Sequence, residues 1–152
     1  MGITHSQTLH DQLQNIFEQM DMCAQNMEDI VEQELQAAHT FDGDTLEHLA
    51  GQRARSQSKV VELESQCKRL FKQYHAPDQI TLEEFIAVHT EKNEQSLLQR
   101  KREHVLARME RMYDAMEENR IRLHAAWCVT MHVLQEVGAL PNQEAYGRGV
   151  AR

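Results

Sequence analysis

The sequence predicts an all-α fold, an elongated antiparallel three-helix bundle of coiled-coil character whose long third helix extends past the bundle. Three observations carry this expectation. Breakers are scarce: the 152 residues hold six Gly and two Pro, and three of the Gly and one Pro fall after residue 137, which leaves little material for turns. Apolar residues recur in alternating steps of four and three, the rhythm of packed helices. Of the four that remain, Gly43 and Pro77 stand in "TFDGD" (residues 40–44) and "HAPDQ" (75–79), which divide the chain into three segments.

The first helix is expected over about residues 6–39. Thr4 with Gln7 three positions later reads as a capping box, which satisfies free N–H groups at a helix start. Its stripe is Leu9, Leu13, Ile16, Met20, Cys23, Met27 and Ile30. The second helix is expected over 45–75, with Asp44 and Glu47 as its capping pair. Leu46, Leu49, Val60, Leu63, Cys67, Leu70 and Tyr74 keep heptad register, and Arg53 and Ser56 are polar members that loosen the seam near its start. Pro77 then disfavours helical geometry at Ala76.

Thr81 with Glu84 caps the third segment, in which neither Gly nor Pro occurs until Gly138. One straight helix of roughly 56 residues would measure about 84 Å. Val105, Met109, Met112, Met116, Asn119, Leu123, Ala126, Thr130, Val133 and Val137 hold a single heptad register, while the stretch around His89, Asn93 and Ser96 is more polar. Partners of about 35 and 31 residues are too short to cover such a helix. The chain therefore divides into a bundle core, 1–118 with its third helix at 82–118, and a C-terminal extension and tail, 119–152. Trp127, Val129, Met131, Val133 and Leu134 sample most of the circumference of that extension. An apolar surface of this kind marks an interaction site, unless the helix folds back on the bundle or the chain dimerises through it.

Charge narrows the partners. Net charge is −8; no Lys or Arg precedes Arg53, whereas ten Asp and Glu do. Nucleic acid is not expected as a partner, since phosphate rewards a basic face. No apolar run approaches the eighteen or so residues of a membrane span. Cys23, Cys67 and Cys128 lie in apolar-periodic segments with no basic-then-apolar leader before them, which suits reduced thiols in a cytoplasmic protein.

The search for chemistry yields little. His124, Cys128 and His132 share one helical face at four-residue spacing and include potential zinc ligands, but no CxxC or HExxH accompanies them, and no metal is expected. "FDGDTLEHL" lacks the ligand order of a calcium loop. No Gly-rich phosphate cradle or GxSxG elbow is present, so neither a cofactor nor an enzymatic activity is expected. Of the eight Met, Met109, Met112 and Met116 read as core, and Met131 as part of an adaptable partner surface.

The segment "NRIRLHAAWCVTMHVLQEVGALPNQEAYGRGV" (119–150) resembles the C-terminal part of FlgN-type flagellar export chaperones. The family shows an Asn, a helix with Leu-rich spacing and a loop ending in Tyr-Gly-x-x-Gly. Here these features are Asn119, Leu123, Leu134 and Tyr146-Gly147-Arg148-Gly149, the second Gly coming one residue early. "QRARSQSKVVELESQCKRL" (52–70) is similar to the family's second-helix region. The resemblance implies a cytoplasmic chaperone for hook-associated (hook–filament junction) proteins, monomeric or weakly dimeric when free, that keeps its clients unpolymerised before type III export. It further implies client contact through Leu123, Trp127, Met131, Leu134 and Val137 and contact with the export gate through Tyr146, with Asn119 and Gly147 also among the partner-binding residues. The alternative is a coiled-coil structural or adaptor protein that self-associates through its C-terminal helix.

Overall fold

The computed structural model describes residues 5–138, and every regular element among them is helical: α1 (His5–His39), α2 (Gly43–Gln73), α3 (Leu82–His89) and α4 (Lys92–Glu136). The chain divides into two units, with the boundary inside α4 between Met116 and Glu117. The Thr4–Gln7 cap lies outside the described residues.

In the first unit, α1 and α2 pack as a hairpin. α1 buries Leu9, Leu13, Ile16 and Met27 against Val60, Leu63, Cys67 and Leu70 of α2, and this core continues into Phe85 and Ile86 of α3 and Leu98, Val105, Met109 and Met112 of α4. A smaller cluster of Ile30, Ala37 and Leu49, with Leu46 against it, closes the loop end of the hairpin. Between Ile30 and Ala37 the α1 stripe carries Glu34, which is buried and ion-paired with Arg53. The polar position expected to loosen the α2 seam is thus answered by a carboxylate on the facing helix.

Both hairpin ends are closed by left-handed residues other than Gly. Phe41 takes φ 55°, with Asp42 N–H bonding the Ala37 carbonyl at 2.9 Å and Phe41 N–H that of Ala38 at 3.3 Å. His75 repeats the arrangement at φ 55°: Ala76 N–H bonds the Phe71 carbonyl and His75 N–H that of Lys72. This pair of bonds terminates helices by satisfying their last carbonyls. The cap of α2 is Asp42, which accepts from the Thr45 N–H and hydroxyl, two residues before the expected Asp44. Phe41 is 84% exposed, so its side chain contributes little packing to offset the cost of its backbone. Phe41→Gly is expected to raise unfolding free energy by about 0.5–1 kcal/mol in chemical denaturation; a destabilised variant would contradict this.

The third segment departs from the single helix that its periodicity predicts. Thr81 and Glu84 do form the expected capping box, but α3 ends at His89. Thr90 adopts extended backbone (φ −114°, ψ 157°), and its buried hydroxyl donates to the Ile86 carbonyl. Gln95 Nε2 donates to the carbonyls of Ala87 and Thr90, both at 2.8 Å, while the N–H groups of Glu94 and Gln95 start α4 on the Glu91 carbonyl. The chain reverses here, because Gln99 Nε2 donates to the Glu83 carbonyl at 3.0 Å. In a straight helix, residues sixteen apart would be separated by about 24 Å. Side chains therefore make the turn without Gly or Pro, by offering the backbone alternative hydrogen bonds.

The start of α4 then runs parallel to α1. His10 faces Glu94 at 3.8 Å, Glu18 faces Lys101 at 3.6 Å, and Asp21 meets both His104 and Arg108. In the second unit, helix continues from Glu117 to Glu136, and Gly138 at φ 76° follows its end.

Candidate interaction surfaces

Helix from Glu117 to Glu136 carries an apolar arc. At 100° per residue, Val129, Val133, Ala126, Leu123, Leu134, Trp127 and Met131 fall in sequence around roughly 200° of the circumference, with Arg120, Arg122 and Thr130 interspersed among them, and Val137, just past the helix end, continues the register. Glu117, Glu118, His124, Cys128, His132 and Glu136 lie on the remainder, together with Ile121 and Ala125. Large apolar side chains are in water: Ile121 is 55% exposed, Trp127 59%, Val129 64% and Val133 52%. The Trp127 indole lies nearly parallel to the His124 ring, with centroids 6.3 Å apart. The first turn is held by Arg120, whose guanidinium donates to both Glu117 oxygens at 3.0 and 2.7 Å and by that bonding keeps the Glu117 carboxyl below its usual range.

The residues expected to meet a partner divide into three groups. Trp127 and Val137 are exposed, and Leu123, Met131 and Leu134 are half-buried, a pattern consistent with side chains at four-residue spacing sheltering one another. Asn119 is 2% exposed and so offers no surface to a partner; its heptad position puts it on the buried face of α4. Tyr146 and Gly147 lie outside the described residues.

His124 and Cys128 approach each other, with Nε2 3.7 Å from Sγ, while His132 turns to Glu136 at 3.3 Å. Among the described residues, no group of three or more His, Cys, Asp or Glu could hold a metal ion, and no helix is long and apolar enough to cross a membrane. All three cysteines are free thiols, Cys23 and Cys67 buried and Cys128 exposed. Burial raises the Cys23 pKa, and burial with the nearby Glu64 charge pushes Cys67 from its ordinary 9.0 to about 11. The neutral thiol is thus favoured in the folded chain, and the stability this confers declines as pH rises from 9.0 towards about 11. Thiol titration of the native protein near pH 8 is expected to show one fast group, Cys128, with the other two reacting only in denaturant. Three fast groups would contradict this.

A second surface, not anticipated from the sequence, lies in the first unit. α2 and α4 flank an open apolar groove of about 590 Å³, lined by Met20, Cys67, Phe71, Leu82, Leu106, Met109 and Tyr113, with Glu64, Lys68, Glu110 and Asp114 along it. Leu106 and Tyr113 are both exposed. They stand seven residues apart, next to the heptad positions Val105 and Met112, and that spacing was the available signal.

Fold and surfaces together define an all-helical bundle protein with exposed apolar helix faces. Compared with models of protein families, with curated proteins and with solved structures, the chain finds no match.

Proposed function

We propose that the protein is a cytoplasmic flagellar type III export chaperone, in which a three-helix core supports a long last helix that binds hook–filament junction proteins. In this reading it prevents their premature assembly and aids their delivery to the export gate. The supporting observation is the exposure of Trp127 within a broad apolar arc of α4, in a segment that resembles the client-binding helix of FlgN-type chaperones. The mechanism is helix against helix: an amphipathic client segment lays its apolar face along Leu123, Trp127, Met131, Leu134 and Val137, with anchors three and four residues apart. The exposed apolar surface leaves water on both partners, which drives association, and the Trp127 indole contributes the largest single area.

Trp127→Ala is expected to weaken binding of a purified hook–filament junction protein by about 2 kcal/mol, roughly thirtyfold in Kd, with the thermal melt of the free chain unchanged. Isothermal calorimetry reads the effect, and an unaltered Kd would count against the proposal.

A further inference from the structure

The groove between α2 and α4 is a separate feature from the C-terminal helix, and its occupancy is independent of the chaperone reading. We propose that this groove binds a partner protein through an amphipathic helix whose apolar stripe is flanked by Lys or Arg.

Its dimensions suit a short stretch of helix. The α4 wall runs from Leu106 to Asp114, about 12 Å or two turns, long enough to receive apolar anchors at i, i+3 or i+4, and i+7. Met20 and Met109 lie in the lining with Phe71 and Tyr113; thioethers adapt to varied apolar shapes, and aromatic rings add rigid contact area.

Charge selects the occupant. Glu64 on the α2 wall and Glu110 and Asp114 on the α4 wall outnumber Lys68. None of these carboxylates forms an ion pair among the described residues, whereas Glu18, Asp21 and Glu83 on other faces do. A basic flank on the incoming helix would therefore meet acid on both sides of its apolar stripe. A second copy of this chain suits the site poorly, because a two-fold contact would bring the acidic patch of Glu64, Glu110 and Asp114 against the same patch on the other copy.

The test uses the full chain and two fluorescein-labelled helical peptides of about four turns with the same leucine stripe, one flanked by Lys and one by Glu. The Lys-flanked peptide is expected to bind with one-to-one stoichiometry and about tenfold or more tighter than the Glu-flanked one, the difference shrinking in high salt. Leu106→Glu is expected to lower its affinity about tenfold with an unchanged circular dichroism melt. The exposed double variant Glu110→Lys with Asp114→Lys is expected to reverse the preference between the peptides. Equal binding of both peptides, failure of the reversal, or full affinity in Leu106→Glu would each overturn the proposal. So would self-association that Leu106→Glu abolishes, since it would give the groove to a second copy.

Discussion

Phe85→Ala is expected to lower the unfolding free energy by about 4 kcal/mol. The ring is fully buried and joins α3 to the end of α2, with centroids 4.5 Å from Phe71, 6.2 Å from Tyr74 and 4.6 Å from His89. Truncation removes the transfer free energy of the ring, leaves a cavity, and forfeits aromatic pairs that contribute about 0.5–1.5 kcal/mol each beyond burial. α3 has only eight residues, too few to persist as an isolated helix. Its docking through Phe85 and Ile86 therefore decides whether that end of the core is covered. Urea denaturation monitored by circular dichroism reads the loss, and Phe85→Leu should retain most of the stability. A loss below about 1 kcal/mol for the alanine variant would show that α3 contributes little to the core.

Arg53→Met is expected to cost about 3 kcal/mol, because it removes the guanidinium paired with the Glu34 carboxylate, which lies in a nearly inaccessible position. The side chains are 23% and 4% exposed respectively, so water reaches the arginine and the cost falls at the lower end of the range for breaking a buried pair. Replacing both residues by Met should restore most of the stability, since it removes the desolvation cost of both charges together. The double-mutant cycle measures the coupling. An Arg53→Met variant within about 0.5 kcal/mol of the wild type would mean that the pair is solvated and energetically idle.

The three- and four-residue spacing was sufficient to place the cores of α1 and α2, because a buried stripe must repeat with the helix. It was insufficient for the third segment. There the reversal at Thr90 depends on a hydroxyl and on the reach of Gln95 and Gln99 to carbonyls of α3, contacts that leave no periodic trace. The caps show a similar division. Thr81 and Glu84 were legible as a pair, whereas α2 starts on Asp42 because the αL turn at Phe41 delivers that residue first. Arg53 stood out as a polar member of an apolar seam, but its partner Glu34 lay beyond the stripe traced on α1. Of the expected contact residues, Trp127 is exposed and Asn119 is buried, although both sit in one continuous helical pattern. Periodicity gives the face of a residue, and only the packing around it decides whether that face meets water. The groove followed the same logic in reverse: Leu106 and Tyr113 are a surface pair that becomes a site only where α2 and α4 leave Met20 accessible between them.

Size-exclusion chromatography with light scattering, run on the chain alone and mixed with a purified hook–filament junction protein, bears most directly on the proposed function. The chain alone should elute as a monomer or weak dimer, and the mixture should form a one-to-one heterodimer that is lost when residues 119–152 are removed. A tight homodimer that disappears with the same truncation, and no complex with the junction protein, would contradict the chaperone reading and identify a self-associating coiled coil.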